Sequence, residues 1–574
     1  MKTRLWTGFL LRILLPILAV GSELRGADLP PGANAAVEAT AGAATQGLYF
    51  ARKQYQPQPL PRYESTRDKL PAPVHDENPD WVRMYWKAWE LAFRNFHEPA
   101  PGSGLVSQFI DAAFNDNIFL WDTAFMTMFC NYGHGLVPGI GSLDNFYARQ
   151  HEDGEICREI NRLTGKDYAD WRNPDRRPLF SRSGWNVAQP GLPGDRNTPV
   201  EYRGRTAPQP APVLTLDALN HPILAWAELE SLRVTGDRER IAAVYPPLVR
   251  YHAALERHLR QGNGLYMTDW ASMDNSPRNP FLRGGGCAVD TSSQMVLSAR
   301  NLATMAELLG KTADATRWER EADALATLIN QQMWDPDRRF YFDLKLDGSR
   351  APVKTIAAFW TLIAGVAQPE QARALVAHLN DPRTFRRAHR IPTLAADEPG
   401  YDPQGGYWRG AVWAPTTTMV VRGLEQYGHR ELAAEVALNH LDQAGRVFKE
   451  TGTFWENYAP DAALPGRPGK KDFVGWSGLG PILFLIEFGI GLKPDAARNE
   501  LVWEMRSAHR VGCERYRFNG HLVSLTCEPL AGDNRRRKLS VESDGSFTLI
   551  LQRSGQRTTH AVARGRQEFL MPWE

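Results

Sequence analysis

Paired α-helices followed by a small β-rich module are what this sequence predicts, and three observations carry the prediction. About twelve stretches place apolar residues at helical spacing, often in close pairs. After about residue 510 the apolar period changes from helical to alternating. The chain's 574 residues include 18 Trp, 17 Tyr and 24 Phe, which a disordered tail or a small peptide module does not explain.

The elements follow in order. MKTR and the apolar run LWTGFLLRILLPILAVG, ending in small residues around GSELRGA, have the layout of a secretory signal over residues 1–27. This predicts a periplasmic or secreted protein; a retained signal anchor is the alternative, because Arg12 interrupts the apolar run. No later segment reads as a sustained membrane span, so no stable span is expected once the signal is removed. Residues 28–75, rich in Ala, Gly and Pro, read as an extended N-terminal segment. NPDWVRMYWKAWELAF then opens the first helix, with Asn78 as a candidate cap, Pro79 in the first turn and Trp81, Met84, Tyr85, Ala88 and Leu91 on one face. Further helices are expected over roughly 122–133, 139–151, 215–233, 237–259, 288–310, 311–333, 353–366, 369–380, 411–427, 430–448 and 476–491, with Gly310 as a natural break inside one pair. Such hairpins are able to close into a toroid, and an irregular bundle is the competing arrangement.

Residues 161–212 interrupt this pattern with NPDRRP, PGLPGD and TAPQPAP. Trp185 within them favours an ordered loop over a pocket rather than a disordered insertion. From 510 to 574, RYRFNGHLVSLTCE and KLSVESDGSFTLILQ alternate, with Leu539 and Val541 before a turn at Asp544 and Gly545 and Phe547, Leu549 and Leu551 after it. Cys513 and Cys527 lie in this module, either as one bridge or as buried thiols; Cys130, Cys157 and Cys287 are far from each other in sequence.

Charge narrows the function. Lys plus Arg number 67 against 65 Asp plus Glu, a net +2, which argues against a strongly basic nucleic-acid surface, and no nucleic-acid partner is expected. His151, Glu152, Asp153 and Glu155 lack both HExxH spacing and a calcium-loop pattern, so no metal is expected. Two acidic sites stand out instead. In LYMTDWASMDNSPR, the turn residues after it put Asp274, which follows Asp269, on a loop, where it is placed either to protonate a leaving oxygen or to cap a turn. In ETGTFWENYAPD, Glu456 lies between Trp455 and Tyr458. Sugars present apolar C–H faces and polar edges, which suit aromatic platforms with carboxylates. Asp274 as acid and Glu456 as base make an inverting hydrolase if a water fits between them, at a separation of roughly 6.5–9.5 Å.

With these residues, the blocks FLWDTAFM, RQHEDGEI, DWASMDNSPR, GGYWRGAVW, TGTFWENYAPD and GWSG, spread over roughly residues 77–491, resemble the trehalase-like glycoside hydrolases. The likeness is strongest to the mannosylglycerate and glucosylglycerate hydrolases and the family 63 α-glucosidases. The resemblance implies an (α/α)6 toroid, here over 76–495, with hydrolysis by inversion and no organic cofactor. It maps the general acid onto Asp274 and the general base onto Glu456. Trp121 and Asp122 then look like ring contacts, and Gln150 a hydroxyl contact. Tyr407, Trp408, Trp413, Trp455 and Trp476 are candidates for the pocket, and Arg409 for orienting Glu456 or meeting a sugar hydroxyl or an acidic aglycone. The function expected is exo-acting hydrolysis of a small α-glycoside or oligosaccharide, an α-glucoside before an α-mannoside. The alternatives are a hydrolase specific for glucosylglycerate or mannosylglycerate, a noncatalytic carbohydrate-binding protein on the same scaffold, and an epimerase on a similar barrel.

Overall fold

A computed structural model describes residues 53–151, 154–166, 201–202, 205–206, 221–268, 273–282, 286–553 and 555–573. The expected signal and most of the 161–212 insertion, Trp185 included, lie outside these residues.

Among the described residues, twelve helical elements build the barrel, beside short helices at Tyr63–Thr66 and Asn279–Leu282, and their sequence explains which face water. We number them α1 Pro79–Arg94, α2 Leu120–Cys130, α3 Asp144–Ala148, α4 Leu224–Thr235, α5 Arg238–Leu259 and α6 Val289–Leu308. The series continues with α7 Thr312–Gln332, α8 Trp360–Ile363, α9 Pro369–Asn380, α10 Ala414–Gln426, α11 Arg430–Thr451 and α12 Gly480–Ile490. Short 3-10 turns lead into α3, α8 and α12 at Ile140–Leu143, Ile356–Phe359 and Trp476–Leu479. Every residue of α2 and of α12 is buried. By contrast α1, α7 and α11 bury a single stripe, the mark of helices with one wet face.

The even-numbered helices are the inner ones. α2 packs on α4, α4 on α6, α6 on α8, α8 on α10, α10 on the turn entering α12, and that turn on α2 again. This closed circuit is the toroid, and it excludes the irregular bundle. The odd-numbered helices return the chain outside it. Gly236 and Gly452, both at positive φ, end α4 and α11, and Gly310 at φ +70° separates α6 from α7 as expected. Asn78 occupies the residue before α1, but its side chain makes no capping hydrogen bond; Pro79 still starts the helix.

Nine strands make up the β module: β1 Ala72–His75, β2 Leu492–Asp495, β3 Glu500–Glu504, β4 Val511–Phe518, β5 His521–Leu530, β6 Asp533–Ser543, β7 Phe547–Arg553, β8 Gln556–Val562 and β9 Gly565–Pro572. One sheet has the order β1-β4-β5-β6-β9 and the other β2-β3-β7-β8. The module thus takes in 492–504 and, from the extended N-terminal segment, 72–75. The turn at Asp544 and Gly545 joins two sheets rather than the arms of a hairpin, because β6 pairs with β5 and β9 while β7 pairs with β3 and β8. Leu539, Val541, Phe547, Leu549 and Leu551 are all buried, as the alternation predicts.

All five cysteines are buried and none is in a disulfide. Cys513 stands opposite Leu525, and Cys527 opposite Val511, so the two thiols are diagonal neighbours. Diagonal positions on adjacent strands lie about 7–8 Å apart, beyond the roughly 3.5–4.5 Å between Cβ atoms that a disulfide needs.

At the end of the barrel where α10 and α12 meet β2 and β3, buried charges are paired. Glu487 of α12, fully buried, accepts from Arg422 of α10, Arg233 of α4 and the Tyr132 hydroxyl. Arg422 also holds Glu230 through two bonds of 3.0 Å, and Lys493 of β2 links Glu425 to Glu504.

Candidate active site

The inner helices bring their first residues to one place. Trp121 is the second residue of α2, Trp413 immediately precedes α10, and Trp476 opens the turn into α12. Trp408 stacks on Trp413 with ring centres 4.2 Å apart and planes 7° from parallel, and Trp476 meets Trp121 and Trp413 edge-on. Around these rings lies a cavity of about 200 Å³ lined by Phe114, Phe119, Trp121, Asp122, Arg158, Asp274, Tyr407, Trp408 and Trp476. Larger hollows occur at 53–58 with 130–141 and at 59–64 with 90–98, but neither is lined by any of the expected site residues.

Glu456 reaches this place from a bend between two isolated bridges. Its backbone N–H donates to the Lys470 carbonyl, and isolated bridges pair Trp455 with Lys471 and Tyr458 with Val412. Glu456 turns inward, where its Oε1 accepts from the Tyr407 hydroxyl at 2.8 Å and its Oε2 from the Lys470 N–H at 3.0 Å. Trp455 turns the other way, into a small cluster with Ala444, Val447 and Tyr458, and its indole N–H meets Thr451. It does not line the cavity.

Asp274 stands on a loop fixed by its own motif. Two residues of DNSPR tie it down. Arg278, fully buried, binds both oxygens of Asp290, at the start of α6, and both of Asp343. Asn275 accepts from the Trp408 backbone N–H at 2.9 Å and donates to the Gly406 carbonyl at 2.9 Å. Asp274 itself is exposed toward the cavity.

The remaining expected residues divide. Trp413 lies behind Trp408, fully buried, and supports the platform without facing the cavity. Gln150 is buried and gives its amide N–H groups to the Gly154 and Pro247 carbonyls, away from the cavity wall. Arg409 is exposed and donates to the Gly400 carbonyl; the partner of Glu456 is Tyr407 instead. Of the acidic run, His151 and Glu155 are described, and among the described residues no cluster of three or more His, Cys, Asp or Glu is arranged to hold a metal. No described helix is long and apolar enough to cross a membrane.

Four residues at or beside the cavity carry no sequence signal strong enough to have marked them. Phe114 lies in AAFNDNIFL, which has no clear period, Phe119 opens the FLWDTAFM block without standing out within it, and Arg158 is one of many arginines. His221 stacks flat on Trp121 at 4.3 Å and 9°.

Burial sets the electrostatics. It raises the Glu456 carboxyl above the usual carboxylate range, against the lowering effect of the Tyr407 and Lys470 hydrogen bonds. It lifts Asp122 well above that range, opposed by a backbone N–H and Arg158 and reinforced by Glu456 and Glu159. The Asp122 Oδ1 has no hydrogen-bond partner among the described residues. The same burial raises the Tyr407 hydroxyl, and the charges of Glu456, Asp274 and Asp122 add to it. All three carboxyls thus act on Tyr407.

Residues 205–477 match the mannosylglycerate hydrolase MGH1-like glycoside hydrolase domain. An uncharacterized protein of Borreliella burgdorferi is 26% identical over 368 residues, covering 62% of this chain and 76% of its own. The mannosylglycerate hydrolase of Thermus thermophilus is 33% identical over 188 residues, 29% of this chain and 43% of the relative, so the match spans less than half of that enzyme. In structure, the chain is similar to the family 63 mannosylglycerate hydrolase of Thermus thermophilus in complex with glucose. The TM-score is 0.51 at 21% identity, over 70% of this chain and 99% of the other. At that identity the likeness is one of fold.

Proposed function

This chain carries the trehalase-like fold of the family 63 and mannosylglycerate hydrolase group of glycosidases, and on that premise we propose that it is an inverting, exo-acting α-glycosidase. Asp274 donates its proton to the glycosidic oxygen as the bond from that oxygen to the anomeric carbon breaks. Glu456 takes a proton from a water whose oxygen bonds to the same carbon from the opposite face. Trp121, Trp408 and Trp476 pack against the sugar, and Asp122 accepts from its hydroxyls. A single observation carries the reading. A cavity of about 200 Å³ is walled by those three indoles and opens onto Asp274, with Glu456 held on Tyr407 beside it. A space of that size suits one terminal sugar ring rather than a chain, which supports exo action and a small substrate, with an α-glucoside as the preferred glycone.

A second reading keeps the chemistry and changes the aglycone. Arg158 in the cavity wall places a cation where a carboxylated aglycone such as that of glucosylglycerate or mannosylglycerate would find it. The experiment is a panel of α-glucosides, α-mannosides and their glycerate conjugates, with the first-formed product anomer followed by NMR. Release of the β-anomer is expected; an α-anomer as first product, or binding with no turnover anywhere in the panel, would sink the proposal. Because Glu456 must be ionised to act and its carboxyl is raised, the acidic limb of kcat/KM is expected above the roughly 4.3 of an ordinary glutamate. An acidic limb at or below that value would contradict the assignment of the base.

Asp122 gives a prediction of opposite signs for folding and activity. Its folded pKa is raised, so the stability it contributes is complete below the unfolded value of about 3.9 and is lost as pH rises through the folded one. At neutral pH Asp122→Asn is therefore expected to raise the melting temperature by about a few degrees. The same change is expected to lower kcat/KM by about 3–10-fold, as one carboxyl oxygen that accepts from the sugar is replaced by an amide donor. Calorimetry and steady-state kinetics on the one variant test both; a fall in melting temperature would show that the charge is satisfied in the fold.

A further inference from the structure

Asn275 makes two hydrogen bonds that bracket one residue. Its side-chain amide donates to the Gly406 carbonyl and accepts from the Trp408 N–H, so it grips the two peptide groups on either side of Tyr407. Tyr407 needs gripping. It sits at φ +65° after Gly405 at +107° and Gly406 at +52°, a left-handed run in which an aromatic residue is strained. Released from that conformation, the backbone would relax and carry the hydroxyl off Glu456. The other end of the Asn275 loop cannot follow, because Arg278 anchors it to Asp290 and Asp343.

We propose that Asn275 is the positioning residue that registers the proposed acid with the proposed base, by holding Tyr407 in the one backbone conformation that places its hydroxyl on Glu456. The inference rests on the hydrolase reading above and adds to it a mechanical link: the residue beside Asp274 fixes the residue that fixes Glu456. Tyr407 is thereby the shared member of two loops that are about 130 positions apart in sequence.

The link has an electrostatic signature. The groups acting on Glu456 are the Tyr407 hydroxyl and Lys470, and Glu456 in turn acts on Asp122; Tyr407 also feels Asp274. The Tyr407 hydrogen bond lowers the Glu456 pKa against burial, so its loss raises that pKa and moves the acidic limb of kcat/KM upward. Asn275→Ala and Tyr407→Phe should produce the same upward shift. Combined, they should fall well short of the sum of their single effects on kcat/KM. Asn275→Asp retains the acceptor for the Trp408 N–H but loses the donor to Gly406, and should lie between wild type and alanine.

The test is a double-mutant cycle on α-D-glucosyl fluoride with full pH profiles, beside a crystal structure of Asn275→Ala. Expected are a drop of about 10–100-fold in kcat with KM within a few-fold, a limb shift matching that of Tyr407→Phe, and a Tyr407 hydroxyl out of hydrogen-bond reach of Glu456. Additive effects, an unmoved limb, or Tyr407 still at 2.8 Å from Glu456 in the variant would overturn the proposal. The structural arm stands without any activity. If Glu456→Gln leaves the wild-type rate unchanged, it is the hydrolase reading that fails, and the two failures are distinguishable.

Discussion

Glu456→Gln is expected to lower kcat on α-D-glucosyl fluoride by about 10²–10⁴-fold while the protein stays folded and still binds sugar. The amide keeps the shape of the side chain and can still accept from Tyr407, though its NH2 then faces the Lys470 N–H, so retained folding and sugar binding are the controls for the proton-accepting role. Fluoride is a good leaving group that needs little protonation, whereas a sugar oxygen needs much. Asp274→Asn is therefore expected to lose a comparable factor on an α-glucoside and far less on the fluoride. This pairing separates the two carboxyls by chemistry rather than by place. An equal loss on both substrates for Asp274→Asn would reject it as the acid, whereas Glu456→Gln should lose activity on both, and wild-type rates in either variant would reject that residue outright.

The largest expected effect on stability lies at the other set of buried charges. Glu487 is fully buried, with Arg422, Arg233 and the Tyr132 hydroxyl upon it. Burial alone would raise its pKa, but the two guanidinium groups outweigh burial and hold it well below the ordinary range. A depressed folded pKa contributes stability above the unfolded value near 4.3 and loses it as pH falls through the folded value. Arg422→Ala leaves Glu487 and Glu230 sharing Arg233 in a dry site, and a cost of about 3–5 kcal/mol is expected. Chemical denaturation at neutral pH should show it as a lowered midpoint. Arg422→Met in a double variant with Glu487→Met should recover much of the loss, since replacing both charges leaves none unpaired. A single variant within about 0.5 kcal/mol of wild type would show that the network is solvated.

Helical period was a reliable guide to the barrel because the wet faces of the outer helices are real: α5, α7, α9 and α11 begin and end within a few residues of the expected spans. Closure was not legible, since it depends on α2 meeting the turn before α12, a pairing that no local spacing encodes. The site divided for a similar reason. Trp121, Asp122, Asp274, Tyr407, Trp408 and Trp476 converge on one cavity, with Glu456 against Tyr407, whereas Trp455 and Arg409 face away from it. The motif that contains a residue tells which loop it belongs to, but the side of the loop follows from backbone conformation. Trp455 and Glu456 lie where the chain bends and diverge there; Arg409 follows the left-handed run at 405–407, whose course is not evident from GGYWRG alone. Phe114, Phe119 and Arg158 reach the cavity through tertiary placement only.

The closed circuit has a consequence for how the chain is made. Tyr132 finds Glu487 across 355 positions, and Arg515 finds the Leu70 carbonyl across 445. A nascent chain emerging from its N-terminus therefore carries an open arc of hairpins, with the first inner helix exposing the flank that the last one will cover. Nothing local can close it. Completion waits until residues 480–490 have been made, and the joining of the two ends is a non-local step whose loop-closure entropy is lost before its contacts are gained.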